Sequence, residues 1–253
     1  MDLAVIYTIV GFGLAGWSVI GNDSIQTLGT FIASKQKWFR WYTLATSASF
    51  VMILALGWGW YSYDGDISYG RLTRIPYQEI QWYHAVAPGI LLLLTRAGIP
   101  VSTTFLVLSA FASTVVLEKM LMKSVVGYGL AAIIAYIAWI LISKFINEKL
   151  DEVDEKWIGF WRNSVWLTSG WLWWIWLSHD VANIAVYLPR QLSPVLLFTV
   201  MAYFTVLLFY IFYIHGGPIQ KVVLDKTGTR YARSATIINI IYAAVLFYFK
   251  ELN

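Results

Sequence analysis

The sequence predicts an all-α integral membrane protein, and three observations carry that expectation. The 253 residues are 59% hydrophobic and only 13% charged, where a soluble domain carries roughly a quarter charged residues. Mean hydropathy is correspondingly high, +0.64. Six uncharged runs, 3–20, 42–60, 125–143, 163–178, 194–214 and 234–249, are spaced along the chain, and about 20 apolar residues suffice to cross a bilayer as a helix.

The first run, LAVIYTIVGFGLAGWSVI, continues without a charge into GNDSIQTLGTFIAS, Gly21 to Ser34. That length and polar continuation differ from a cleaved signal peptide. Residues 3–34 are expected to form one long crossing, broken near Gly21 and running inward from an outer N-terminus. The run 41–60 returns outward, and loop 61–75 stays there. Residues 76–94 and 100–117 flank a Gly-Ile-Pro break and read as a re-entrant hairpin opening outward. Residues 125–146 cross inward to NEKLDEVDEK, 157–188 cross outward to Arg190, and 194–214 come back to a cytoplasmic loop, 215–233. This arrangement puts ten Lys/Arg inside (35, 37, 40, 144, 149, 156, 221, 226, 230, 233) and five outside (71, 74, 119, 123, 190), as the positive-inside rule requires. The expectation is a multi-pass protein of the cell membrane.

The 14 Trp and 16 Tyr cluster near the ends of these runs, where amphipathic rings favour the headgroup region. WLWWIW, Trp171 to Trp176, is denser than such a belt needs, and lipid or helix packing is the favoured reading. The absence of cysteine excludes disulfides, thiolate metal sites and thiol redox chemistry. A net charge of +4 bears first on loop topology and gives no reason to expect a nucleic-acid partner. DKTGT, Asp225 to Thr229, matches the phosphorylation sequence of P-type ATPases, but no loop is long enough to hold their nucleotide domain. No enzymatic activity is expected.

A second stretch, SHDVANIAVYLPR at Ser178 to Arg190, echoes the first. Each follows an apolar run and carries an aspartate with an amide three residues on: Asp23 with Gln26, and Asp180 with Asn183. Three residues is nearly one helical turn, so the members of each pair share a face. With one crossing running inward and the other outward, the pattern is an inverted repeat, the architecture of many secondary transporters. The repeats are taken as 1–146 and 147–253.

GNDSIQTLGTFIAS resembles the signature of the inorganic phosphate transporter (PiT) family, approximately G-A-N-D-x-x-N-x-x-G-T-x-x-x-S. Asn22, Asp23, Gly29, Thr30 and Ser34 match, and Gln26 stands where that family has Asn. HDVAN resembles the second copy, with Asp180 and Asn183 matching and His179 in place of an Asn. GIPVSTT, Gly98 to Thr104, is similar to the family's P-V-S-T-T hairpin tip, followed here by Phe105 where the family usually has His. GPIQKVVLDKTGT loosely resembles a polar segment of the family's second half. The resemblance implies an inverted-repeat secondary-transporter fold with broken helices and a re-entrant hairpin, Na⁺- or H⁺-coupled symport of phosphate or a similar oxyanion such as sulfate, and a homodimer in the lipid bilayer. The offset of 157 residues between Asp23 and Asp180 carries the Ser102–Thr104 tip to 259–261, past Asn253. A second repeat that stops short of its own tip is therefore expected.

The local chemistry assigns roles within that reading. Carboxylates inside a membrane are costly and usually pair, protonate or hold a cation. Asn22, Asp23, Gln26, Asp180 and Asn183 offer the hard oxygen ligands that suit a cation, so Na⁺ is expected at Asp23 and Asp180. At the hairpin tip, Ser102, Thr103 and Thr104 hydroxyls with freed N–H groups make an anion cradle, and Arg96 adds a charge-assisted contact. Thr30, Ser34 and His179 are weaker candidates, and no organic cofactor is expected. Alternatives stay open: the aspartate clusters as interhelical glue, the hydroxyls as back-bonded helix residues, Arg96 as a snorkelling side chain, His179 as a packed core residue. A scaffold or sensor that transports nothing, or a channel-like anion path, are the competing functions.

Overall fold

A computed structural model describes residues 2–73, 75–97, 102–145, 155–217, 219–221 and 232–251. It is all-helical among the described residues. Helix α1 (Leu3–Ser18) runs through a π-helical turn, Val19–Asp23, into α2 (Ser24–Lys35). Then come α3 (Trp41–Ser62), α4 (Trp82–Arg96), α5 (Thr103–Leu108), α6 (Thr114–Phe145), α7 (Glu155–Asp180), the single turn α8 (Ala182–Ala185), α9 (Pro194–Tyr213) and α10 (Ala232–Glu251). Three helical segments, Leu3–Lys35, Trp41–Ser62 and Pro194–Tyr213, are long and apolar enough to cross a membrane.

Local chemistry explains the boundaries. Asp2 caps α1 by accepting from Ala4 N at 3.2 Å. Ser193 caps α9 by accepting from Leu196 N at 3.3 Å, and Pro194 occupies the first turn, where its missing N–H costs nothing. The break expected near Gly21 is a π turn instead. The Ser24 hydroxyl donates to the Ile20 carbonyl, which the backbone N–H of residue 24 would otherwise use, and that N–H turns to Val19 O, five residues back. The helix thus stays continuous but is locally widened, a feature common at functional sites.

Helix α1 packs on α4, α7 on α10, α3 on both α7 and α9, and α2 on α7 and α10. The aromatic run on α7 serves this packing. Trp173 is fully buried, stacks on Trp176 with ring centroids 5.8 Å apart, and donates its indole N–H to Ala48 O of α3 at 3.1 Å. On the α1–α9 face, Tyr203 donates to Gly13 O at 2.7 Å, and its ring lies so close to Gly16 that a Cβ there would fall 2.6 Å from it.

Three boundaries differ from expectation. The first hairpin arm, α4, begins at Trp82 rather than at 76. The second hairpin arm is not 100–117 but the short α5, which packs on α4 and ends in a turn at 109–111. The carbonyls freed there find long-range donors: Gln78 Nε2 to Phe111 O at 3.1 Å and His84 Nε2 to Ala110 O at 3.1 Å. His84 also stacks on Phe111 at 4.1 Å and accepts from Gln81 N at 2.8 Å, so it pins the hairpin. Helix α6 begins at Thr114 rather than 125 and runs on with many apolar side chains exposed, among them Met122, Val125, Tyr128 and Tyr136.

Candidate functional site

Asp23 ends the π turn and is 4% exposed. Its Oδ1 accepts from Asn22 Nδ2 at 2.9 Å and from Gln26 Nε2 at 3.4 Å. Asn22 is buried, whereas Gln26 is exposed. Asp180 ends α7, where the chain turns at Val181 into α8. Its Oδ1 accepts from Asn183 Nδ2 at 3.3 Å, so the same three-residue spacing closes the same amide-to-carboxylate contact in both places. The two carboxylates are near enough to repel one another electrostatically, and Tyr242 of α10 lies within electrostatic reach of both.

The hairpin threonines sit at this junction. Thr104 Oγ1 donates to Asp180 Oδ1 at 3.0 Å and accepts from Asn183 Nδ2 at 3.0 Å. Thr103, 4% exposed, lies beside Asp23 without closing a hydrogen bond of ordinary geometry. Ser102 is used differently: its hydroxyl caps α5 by accepting from Phe105 N at 3.3 Å. The expected cradle is thereby redistributed. Ser102 holds the helix end, Thr104 serves Asp180, and Thr103 faces Asp23. The rest of the expected tip, Gly98 to Val101, and the side chain of Arg96 lie outside the described residues, as does DKTGT.

Two buried oxygens in the cluster have no hydrogen-bond partner: Asn183 Oδ1, on a residue with 0% exposure, and Thr103 Oγ1. Buried polar atoms are normally satisfied. With the two carboxylates they place hard oxygen atoms at this junction. Among the described residues no group of three or more His, Cys, Asp or Glu is placed to hold a metal ion.

Thr30 and Ser34, both buried, belong elsewhere. Thr30 Oγ1 donates to Asn239 Oδ1 at 3.0 Å, and Asn239 Nδ2 donates to Ser169 Oγ at 2.8 Å. This chain ties α2, α10 and α7 together. Ser34 back-bonds to Phe31 O at 3.1 Å. Lys35, which ends α2, is buried over the Trp166 ring and donates to Arg162 O.

The site contains one residue that sequence reasoning left in an outer loop. Arg71 Nη1 lies 3.0 Å from His179 Nδ1. A guanidinium can only donate, so Nδ1 accepts and the proton of a neutral ring sits on Nε2. Arg71 also interacts electrostatically with Asp180, and burial lowers its pKa from the ordinary value while Asp180 works against that shift. A cavity of about 200 Å³, bordered by Trp17, Gly21, Asn22, Tyr210, Gly216 and Ile219, reaches the Asn22 side of the cluster. No protein-family model, curated protein or solved structure matches this chain.

Proposed function

We propose that this protein carries inorganic phosphate or a similar oxyanion across a membrane, coupled to Na⁺ or H⁺, at a site between two inverted repeats. The observation that carries the reading is the meeting of Asp23 and Asp180, 157 residues apart in the chain, around the Thr103–Thr104 hairpin end. Asp23, Asn22, Gln26, Asp180 and Asn183 supply the cation ligands, with Thr103 and Thr104 bridging to the substrate.

The element order supports the repeat. The offset that takes Asp23 onto Asp180 takes residues 3–35 onto 160–192, overlapping α7 and α8, and 41–62 onto 198–219, overlapping α9. It takes α4 onto 239–253, overlapping α10, and the pairing of α1 with α4 has its counterpart in that of α7 with α10. Interrupted helices meeting at a repeat interface are the usual setting for coupled ion and substrate sites. The chemistry follows from charge: two carboxylates close together in a membrane interior hold a cation more readily than they tolerate each other. A cation bound there offsets the charge that would otherwise repel an oxyanion, so each favours the other's binding.

The test is radiolabelled phosphate uptake into proteoliposomes of the purified chain under an inward Na⁺ gradient, an inward H⁺ gradient, or none. Gradient-driven accumulation, lost in Asp23→Asn and reduced in Thr103→Ala, is the expected result. If phosphate, sulfate and related oxyanions stay outside under every gradient, the transport reading fails and a scaffold or sensor role takes its place. Uptake indifferent to any gradient points to a channel-like path.

A further inference from the structure

We propose that Arg71 is the oxyanion-binding cation of this site, released from its contact with His179 when a coupling cation occupies the carboxylates. The inference rests on the transport reading and names the residue that makes an anion welcome between two aspartates.

The loop carrying Arg71 is built to hold it in place. Asp66 gathers the turn, with Oδ1 accepting from Ser68 N at 2.6 Å and Oδ2 accepting from Ser68 Oγ at 2.8 Å and Gly70 N at 3.1 Å. Tyr69 and Gly70 both take left-handed backbone, φ 57° and 74°, a costly conformation for a tyrosine. It is held by the Tyr69 hydroxyl, which donates to Ala55 O of α3 at 2.5 Å. Gly59 lets the Tyr69 ring approach, since a Cβ there would lie 2.8 Å from it. A second anchor joins the loop to the segment after α8: Leu192 N donates to Gly65 O at 2.9 Å and Arg190 Nη2 to Ile75 O at 3.0 Å. The next residue along this fixed turn is Arg71, which reaches His179 at 3.0 Å.

Charge arithmetic gives that placement a consequence. With both carboxylates ionised and His179 neutral, the formal charges of Asp23, Asp180 and Arg71 sum to −1, a balance that disfavours an anion. One bound monovalent cation brings it to neutrality and a second to +1. Cation binding at Asp180 also offsets the electrostatic attraction of that carboxylate for Arg71, leaving the guanidinium N–H groups able to turn to an anion. These match two oxygens of a phosphate or sulfate in parallel, which a lysine does not do. His179 Nδ1 accepts from Arg71 only while the guanidinium points at it, so the ring is the resting position of the side chain.

The experiment measures radiolabelled phosphate binding to the purified full-length chain with Na⁺ or with choline, and Na⁺ binding separately by intrinsic tryptophan fluorescence. Wild type binds phosphate only with Na⁺. Arg71→Gln is expected to bind phosphate roughly a hundredfold more weakly while binding Na⁺ at least as tightly as wild type, because the carboxylates have lost a nearby positive charge. Arg71→Lys falls between the two. Phosphate binding by Arg71→Gln within about threefold of wild type overturns the assignment and leaves the transport reading intact. If wild type binds neither phosphate nor sulfate with Na⁺ or at acidic pH, the transport reading falls and this assignment falls with it. Should Arg71→Gln fail to fold, Arg71→Lys carries the test alone: phosphate binding within about threefold of wild type contradicts the proposal, and a loss of about tenfold or more with Na⁺ binding unchanged supports it.

Discussion

The two aspartates share a local pattern and differ in where their hydrogen-bond donors come from. Asp23 is deeply buried and has Thr103 of the hairpin beside it, yet the two amides that donate to it, Asn22 and Gln26, come from its own helical segment. Asp180 is half-buried, yet it accepts from Thr104 of the hairpin and Asn183 of α8, and Arg71 of the loop after α3 lies within electrostatic reach. One carboxylate is dressed locally and its geometry is set by a π turn. The other is the knot at which the hairpin and that loop meet. A short motif therefore specifies the carboxylate and its amide, while the fold decides whether the pair is a private contact or a joint.

The sharpest way to break this contrast is to remove each carboxylate in turn. Asp180→Ala strips Thr104 and Asn183 of a charged acceptor and leaves Arg71 unbalanced, so it is expected to cost about 3 kcal/mol of stability. Asp23→Ala unties only neighbours on the same helical segment and relieves the repulsion from Asp180, so about 1 kcal/mol or less is expected. Thermal unfolding in detergent, followed by tryptophan fluorescence, separates the two. Equal losses would mean that Asp180 is no more a joint than Asp23.

The hairpin threonines sharpen the same comparison at smaller amplitude. Thr104→Val removes a hydroxyl that both donates to Asp180 and accepts from Asn183, at a cost of about 1.5 kcal/mol. Thr103→Val removes one with no hydrogen bond and is expected to shift stability by less than about 0.5 kcal/mol. It should instead weaken cation-dependent binding, because Thr103 is the hydroxyl facing Asp23. A large stability loss in Thr103→Val would move that residue from ligand to scaffold.

Asn239→Ala is a control on both. It cuts the Thr30–Asn239–Ser169 chain away from the carboxylates, costing about 1–2 kcal/mol with cation affinity unchanged. Ser34→Ala should be the quietest variant, within about 0.5 kcal/mol of wild type, since its hydroxyl only back-bonds within α2.

How much of this was legible depends on the range of the interactions concerned. The apolar run 42–60 became α3 within two residues of its expected ends, because a charge-free stretch bounded by polar residues is a local signal. The amide-to-carboxylate contacts were legible too, since helical spacing fixes them. The hairpin arm was misjudged because α5 ends where Gln78 and His84 supply donors from far away in the chain. Helix α6 was shortened because Glu118, Lys119 and Lys123 read as a loop, although charged side chains on a helix need only reach water at their tips. The continuous π turn replaced a break because Ser24, not Gly21, redirects the hydrogen bonding.

Arg71 was the hardest to find. In sequence it is one of two basic residues in the outer loop 61–75, and only the turn made by Asp66, Tyr69 and Gly70 aims it at His179. The one local hint was DISYG immediately before it, an aspartate four residues ahead of a glycine, the makings of a tight side-chain-capped turn.

The most direct test of the central claim, that two distant aspartates form one cation site, is a double-mutant cycle on Na⁺ binding with Asp23→Asn, Asp180→Asn and the pair, read by equilibrium titration of the purified chain. A shared site predicts that each single variant weakens Na⁺ binding and that the pair departs from additivity by more than about 1 kcal/mol. Strict additivity, or an Asp180→Asn variant that binds Na⁺ as wild type does, would contradict it.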